Sequence, residues 1–305
     1  MRAVGIILAG GNNNRMKELT HKRAVAAMPI AGSYRSIDFA LSNMTNSHIQ
    51  KVAVLTQYNA RSLNEHLNSS KWWNFGRKQG GLYVFTPTIT NDNGYWYRGT
   101  ADAIYQNMDF LKKSHEPYVV IASGDAVYKM DYSKVLQYHI DKKADVTVVC
   151  KEMDPSDDVS RFGTIRMDDD MRITEFEEKP MVTKSNMIST GIYVIRRRLL
   201  IDLIEHAAEE ERFDFVNDVL IRYKNLKKIY GYKIDHYWSN IATVDAYYKT
   251  NMDFLKPEVR NYFFKQDPEI YSKVSDLPPA KYNPGASVKN SLVGSGSIIN
   301  GTVEN

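Results

Sequence analysis

Short apolar runs alternate with longer segments of helical spacing along most of the chain, and this alternation constrains the fold more than any other feature. The runs are rich in valine and isoleucine and are predicted as buried strands: Val4–Leu8, Lys51–Thr56, Tyr118–Ala122, Asp145–Cys150 and Ile192–Ile195. The segments with helical spacing are predicted as helices: Ile37–Ser47, Ala60–Leu67, Ala101–Lys112 and Lys134–Lys142. Strands that alternate with helices favour an α/β fold with a mixed, mostly parallel sheet and helices on both faces.

Composition excludes several classes of protein. The chain has 305 residues, of which 43% are apolar and 25% charged, so it is neither disordered nor fibrous, and its length predicts two domains. The net charge of +4 is small and dispersed, so no nucleic-acid partner is expected. Cys150 is the only cysteine, which suits a reducing compartment. Because no apolar stretch is long enough to span a membrane and a strand begins almost at the N-terminus, we expect no membrane contact, no signal peptide and a cytoplasmic location.

The composition changes near residue 256. Residues 1–255 are predicted as an α/β domain, and the proline-containing stretch 256–285, which has little periodicity, as a linker. In the last segment, 286–305, Leu292 and Val293 recur six positions later as Ile298 and Ile299. This hexapeptide pattern is typical of a β-helix, and a tail rich in glycine and serine is the alternative. Because two repeats are too few to stack stably, we expect the chain to be truncated.

Several loops that follow predicted strands carry side chains suited to phosphate chemistry. Gly10 and Gly11 lead to Arg15, which suits a phosphate-binding loop, although paired glycines also form ordinary tight turns. Asp125 comes directly after a strand, where it suits either a Mg²⁺ ligand or a turn. Lys179 could neutralise a sugar phosphate and Ser189 could bind a hydroxyl group; a charged edge strand and its loop are the alternative.

Motifs of one family occur in order along nearly the whole chain. The matching segments are Leu8–Gly11 with Arg15, Lys22–Ala24, Tyr34–Asp38, Leu55–Tyr58, Tyr97–Ala103, Gly124–Asp125, Glu178–Pro180 and Gly191–Tyr193. This set resembles the ADP-glucose pyrophosphorylases (glucose-1-phosphate adenylyltransferases). The resemblance implies a nucleotidyltransferase (Rossmann-like) domain followed by the start of a left-handed β-helix. It also implies a reaction in which ATP and glucose 1-phosphate give ADP-glucose and pyrophosphate. The ADP-glucose supplies glycogen synthesis, and Mg²⁺ is required if the chain is active.

The resemblance assigns roles to individual positions of this chain. Residues that match the nucleotide site are Gly10, Gly11, Gln57, Gly99 and Thr100. Residues that match the sugar-phosphate pocket are Glu178, Lys179 and Ser189. Arg15 matches a catalytic position that the changes around it leave vestigial, and Asp125 matches a metal-binding aspartate.

The chain departs from the family pattern at positions that handle phosphate charge. Asn13 and Asn14 stand where the active pattern has glycine and threonine, and Val25 replaces a phosphate-facing lysine. Ala126 replaces a histidine, and Asn240 replaces the second metal-binding aspartate. An asparagine offers a carbonyl oxygen without a charge, which makes it a weaker ligand for Mg²⁺.

We therefore interpret the chain as a regulatory, weakly active or inactive subunit, similar to the glycogen biosynthesis subunit type called GlgD. The resemblance implies assembly with a catalytic adenylyltransferase subunit, with residual binding of ATP and glucose 1-phosphate left open. One alternative is a competent ADP-glucose pyrophosphorylase in which Asn240 serves as a neutral metal ligand. Another is a transferase for a different sugar or nucleotide.

Overall fold

A computed structural model describes residues 2–12, 14–76, 80–89 and 94–304, so Asn13 and Asn305 lie outside the described residues. Nine of the strands in these residues form one mixed sheet. The strands are β1 Ala3–Leu8, β2 Pro29–Ile30, β3 Tyr34–Arg35, β4 Lys51–Leu55, β5 Gly81–Phe85, β6 Tyr118–Ser123, β7 Ala126–Tyr128, β8 Val146–Glu152, β9 Gly163–Met167, β10 Ile173–Glu178, β11 Met187–Arg196, β12 Ile229–Ile234, β13 Trp238–Asn240, β14 Lys281–Tyr282, β15 Ser287–Lys289, β16 Ile298–Ile299 and β17 Thr302–Glu304.

The helices lie between the strands of the sheet and after it. They are α1 Ser36–Asn46, α2 Arg61–His66, α3 Thr100–Gln106, α4 Met108–Lys112, α5 Tyr132–Asp141, α6 Arg197–Glu209, α7 Val244–Asp253 and α8 Pro257–Phe264. Short 3₁₀ turns cover Asn14–Thr20, Val25–Ala27 and Ser70–Trp73, and Phe215–Ile221 forms a π-helical turn. The predicted helix Ala101–Lys112 is divided at Asn107 into α3 and α4.

The sheet has a parallel centre and antiparallel flanks. β5, β4, β1 and β6 are adjacent and parallel, and β11 runs antiparallel to β6 on the far side. β11 also pairs with β8, which is parallel to β12, and with β9, which pairs with the edge strand β10. This arrangement confirms the predicted mixed α/β sheet. Every predicted strand is present, and the largest shift is at β11, which begins at Met187, five residues before the predicted start.

Both faces of the sheet are covered by helices because the central strands are apolar on both faces. In β1, Ile7 packs into one hydrophobic cluster, which includes side chains of α1 and α5. On the opposite face of β1, Val4 and Ile6 pack into a second cluster with side chains of α3 and α6. Burying one such aliphatic side chain contributes about 1.5–3 kcal/mol, so these continuous apolar runs hold the layers together.

The stretch predicted as a linker, 256–285, contains structure that its composition did not indicate. Pro257–Phe264 forms α8, and its buried Phe263 packs edge-on against Phe39 of α1, with ring centroids 5.4 Å apart. Beyond it, β14 pairs with β16 and β15 with β17, in both cases parallel. The β-helix and the domain division at 255 and 285 stay predictions.

Candidate functional site

A cavity of about 760 Å³ opens at the carboxyl ends of the central parallel strands. The register pairs Leu8, the last residue of β1, with Leu55 of β4 and with Ser123 of β6, so the loops after these three strands leave the sheet side by side. Predicted site residues that line the cavity are Gly10, Gly11, Arg15, Gln57, Gly99, Thr100, Asp125 and Lys179, and Asn240 lines it as well. The structure therefore brings together residues that are distant in sequence.

The two glycines of the first loop differ in their surroundings. A Cβ atom on Gly10 would lie 3.2 Å from the backbone nitrogen of Gln57, so the absence of a side chain lets the loop approach the end of β4. A Cβ atom on Gly11 would meet no described atom within 4 Å. A side chain at position 10 would thus have to displace the loop after β4 by a few tenths of an ångström, whereas the space beside Gly11 is open to the cavity.

Gln57 is fixed by the backbone of Tyr97. The Gln57 amide donates to the Tyr97 carbonyl at 3.2 Å, and the Tyr97 N–H donates to Gln57 Oε1 at 2.6 Å. Because both ends of the amide are used, this side chain holds the segment that begins at Tyr97 beside the first loop.

The Gly99–Thr100 segment packs tightly against residues 213–215. A Cβ atom on Gly99 would lie 2.3 Å from the Phe213 carbonyl oxygen, so no larger residue fits without movement of the backbone. Thr100 Oγ1 accepts a hydrogen bond from the N–H of Phe215 at 2.9 Å. Its neighbour Arg98 also lines the cavity and stacks on Phe213, with 3.8 Å between guanidinium carbon and ring centroid. Arg98 was not predicted as a site residue.

Asp125 and Asn240 come together through the pairing of β7 with β13. Asn240 lies opposite Ala126, and the Ile241 N–H donates to the Asp125 carbonyl at 2.9 Å. The Asp125 carboxylate accepts a short hydrogen bond of 2.5 Å from Ser123 Oγ. The Asn240 side-chain oxygen accepts from the Ala242 N–H at 3.1 Å. The two positions that the family resemblance assigns to metal binding are therefore neighbours.

These residues do not fit a magnesium ion held by two charged ligands. Asp125 supplies the one carboxylate of the cavity wall within the described residues, and the oxygen of Asn240 already faces a backbone N–H. Across the described ranges, no group of three or more His, Cys, Asp and Glu residues could hold a metal ion. Magnesium is bound through one or two carboxylates together with substrate phosphates, and of the two that the family resemblance implies this cavity retains one.

Arg161 is a cavity residue that the sequence analysis missed. Its Nη1 lies 3.5 Å from Asn240 Oδ1, and its guanidinium carbon lies 4.6 Å from the centre of the Phe162 ring. Burial lowers the pKa of the Arg161 guanidinium, and the carboxylate of Asp125 partly opposes this shift. Arg161 lies in the loop before β9, and none of the sequence motifs given above includes it.

The predicted sugar-phosphate residues separate into two groups. Lys179 lines the cavity, and its Nζ lies 3.1 Å from Glu178 Oε1. Glu178 and Ser189 are not part of the lining. Burial raises the pKa of the Glu178 carboxyl, and the Lys179 charge opposes that shift. Ser189 is buried, with its hydroxyl 3.2 Å from that of Tyr193, which does line the cavity.

The remaining departures from the family pattern surround the same space. Val25 is only 8% exposed and lines the cavity. An apolar side chain therefore stands on the cavity wall where the family resemblance implies the positive charge of a lysine. Asn14 lines the cavity, whereas Ala126 is buried outside the lining. Asn13 lies outside the described residues.

The charges that line the cavity are mainly positive. Among the described residues these are four cations and one carboxylate: Arg15, Arg98, Arg161, Lys179 and Asp125. Arginine and lysine side chains around a concave site attract and hold phosphate groups. The arrangement is chemically suited to an anionic, phosphorylated ligand.

Comparison with known proteins assigns the chain to a family. A model of the nucleotidyl transferase family matches residues 4–257. A glucose-1-phosphate adenylyltransferase of Clostridium botulinum is 42% identical over 306 aligned residues, covering 99% of this chain and 79% of the relative. Those of Clostridium novyi and Thermosipho melanesiensis are 40% and 39% identical over 99% of this chain, covering 80% and 74% of their own lengths. In the described part of the chain no helix has the length and apolar character to cross a membrane. With its cavity at the strand ends and this identity along its whole length, the chain belongs to the glucose-1-phosphate adenylyltransferase family of nucleotidyl transferases.

Proposed function

We propose that this chain is a regulatory subunit, weakly active or inactive by itself, that acts with a catalytic adenylyltransferase subunit in the synthesis of ADP-glucose. The observation that carries the proposal is the neutral Asn240 beside Asp125, with its oxygen directed at the N–H of Ala242 and at the guanidinium of Arg161. Transfer of an adenylyl group depends on neutralising the charge that develops on the phosphates, and a site with a single carboxylate holds the metal for this task poorly.

Val25 supports the same conclusion. Its apolar side chain lies on the cavity wall at the position where the family resemblance places a lysine. Removal of one group that stabilises developing charge typically lowers turnover by about 10²–10³-fold. Losses at two positions act on the same phosphates, so we expect very little turnover from this chain alone.

The test measures pyrophosphate release from ATP, glucose 1-phosphate and Mg²⁺. The purified chain, a catalytic relative and their mixture are assayed side by side, with an unrelated protein replacing this chain in the control mixture. We expect negligible turnover from the chain alone and a change in the turnover or effector response of the mixture. An unchanged mixture would exclude regulation, and turnover of the chain alone at the level of the relative would exclude inactivity.

A competent enzyme is the second candidate. It is favoured by about 40% identity to relatives named glucose-1-phosphate adenylyltransferase and by the retention of Gly10, Arg15, Gln57 and Lys179 in the cavity. The same assay of the chain alone distinguishes the two functions. A panel of other sugar phosphates and nucleotides, assayed in parallel, tests transfer to a different substrate. A cytoplasmic location is part of both proposals.

A further inference from the structure

We propose that the cavity binds ATP without a divalent cation, because the guanidinium of Arg161 stands beside Asp125 and Asn240 where an active site would hold its metal. This inference rests on the proposed loss of catalysis and adds a binding mode to it. The site would take the phosphate chain of a nucleoside triphosphate through arginine side chains.

The side-chain oxygen of Asn240 is surrounded by hydrogen-bond donors. Its Oδ1 accepts from the Ala242 N–H at 3.1 Å and lies 3.5 Å from Arg161 Nη1. Both neighbours of this oxygen are hydrogen-bond donors, and both therefore stabilise the amide in its present orientation. A metal ion that approached this oxygen would compete with these donors for its lone pairs.

Arg161 is held in place by its neighbours. Its guanidinium stacks on the Phe162 ring at 4.6 Å and interacts electrostatically with the carboxylates of Asp125 and Asp158. An arginine remains charged even when burial disfavours its cation. A positive charge 3.5 Å from the oxygen of Asn240 repels a divalent cation and attracts phosphate oxygens.

Several cations border the cavity. Arg98 faces the carboxylate of Asp102 at 3.4 Å, and Lys179 faces Glu178. Arg15 and Arg161 both line the cavity, so two guanidinium groups border the same space. The phosphate chain of a ligand in this space would accept charge-assisted hydrogen bonds from arginine side chains. Binding of the phosphate chain is thereby favoured without a metal.

The experiment is calorimetric titration of the full chain with ATP in two buffers, one with excess Mg²⁺ and one with EDTA. We expect the two dissociation constants to agree within about threefold, since the arginines supply the charge. Weakening in EDTA by about tenfold or more would overturn the proposal. Absence of ATP binding in both buffers would also overturn it. Neither result would affect the regulatory proposal, which depends on the turnover of the mixture.

Three variants locate the effect. We expect Arg161→Gln to weaken ATP binding in EDTA by roughly tenfold through loss of a charge-assisted contact. We expect Arg166→Gln, which removes an arginine of β9 outside the cavity lining, to leave binding unchanged. Asn240→Asp adds a carboxylate, so ATP binding should fall about tenfold in EDTA and recover in Mg²⁺. Thermal unfolding of each variant verifies that it is folded. Equal binding by Arg161→Gln and the unsubstituted chain would overturn the role of Arg161.

Discussion

Single residues decide how the cavity compensates phosphate charge. Asp125 retains a carboxylate, but Asn240 presents a neutral oxygen that a backbone N–H already occupies. Val25 adds apolar wall, and Arg161 brings a positive charge to the vicinity of Asp125. Among the described residues, the cavity wall therefore offers a metal cation one carboxylate and places an arginine charge near it.

The substitution Asn240→Asp alone is expected to leave the chain nearly inactive. It restores a carboxylate beside Asp125, but Val25 still lacks the cation that the family resemblance places there, a loss worth about 10²–10³-fold in turnover. Pyrophosphate release should therefore remain at least about a hundredfold below that of a catalytic relative. The double variant Asn240→Asp with Val25→Lys should exceed either single variant. Full activity from Asn240→Asp alone would show that a single defect accounts for the inactivity.

Buried His139 makes the stability of the chain depend on pH. Its Nδ1 lies 2.9 Å from Thr147 Oγ1, and its Nε2 is buried without a partner among the described residues. Burial lowers the pKa of His139 from 6.5 to about 4. The unfolded chain therefore binds the proton first as the pH falls. Above pH 6.5 His139 is neutral in both states and does not affect the free energy of unfolding. As the pH falls from 6.5 to 4 the free energy of unfolding decreases by about 3 kcal/mol in total, and below pH 4 this residue changes it no further.

The variant His139→Gln isolates this titration, since glutamine can still bond Thr147 but does not ionise. Urea unfolding at pH 7 and pH 4.5 should show that the unsubstituted chain loses about 2 kcal/mol more stability than the variant over this interval. Equal losses in the two proteins would contradict the assignment to His139.

Between elements, the clearest connection joins α1 to the segment 269–273. The buried carboxylate of Asp38 accepts from the Arg35 N–H at 2.7 Å and from Ser272 Oγ at 2.6 Å, and it lies 2.6 Å from His66 Nε2. In the next turn of α1, Ser42 Oγ accepts from the Tyr271 N–H at 2.8 Å. The helix thus fixes the chain that leads from α8 toward the C-terminal strands.

Replacement of Asp38 should lower the free energy of unfolding more than replacement of Ser272, which is one of its hydrogen-bond donors. The substitution Asp38→Asn would turn an N–H₂ group toward donors in a buried site, which costs about 2–3 kcal/mol. Ser272→Ala removes one hydrogen bond and should cost about 1 kcal/mol. The surface residue Ser291 provides the control, since Ser291→Ala should change stability by less than about 0.5 kcal/mol. Equal effects of Asp38→Asn and Ser272→Ala in urea unfolding would show that Asp38 is not the centre of this network.

The strands and loops that could be predicted are those that a local sequence pattern specifies. The strands and the loops after β1, β4 and β6 follow from short apolar runs and the turn residues behind them, so Gly10, Gln57 and Asp125 could be placed together. Arg161 and Tyr193 reach the cavity through the antiparallel half of the sheet, which no local pattern specifies. Helix α8 escaped prediction because its aromatic residues are fixed by packing on Phe39 rather than by helical periodicity.

Across the whole molecule, the α/β unit and the C-terminal strands differ in how much apolar surface they bury. The central strands are almost fully buried, whereas Tyr282, Leu292, Ile298 and Val303 are all at least 37% exposed. The contact between Gly294 and Gly32 places this region beside the loop that connects β2 and β3. Exposed apolar side chains on and between these short strands favour association with a further protein surface.

If the proposed assembly with a catalytic subunit uses this exposed surface, polar substitutions there should weaken it. We expect the double variant Leu292→Ser with Ile298→Ser to bind the catalytic subunit at least tenfold more weakly, because burial of one such side chain contributes about 1.5–3 kcal/mol. Leu226→Ser is the matched control, since Leu226 is 77% exposed and belongs to the α/β unit. Light scattering and co-purification of each variant with the catalytic subunit provide the measurement. Equal association of the double variant and the control would instead place the contact on the α/β unit.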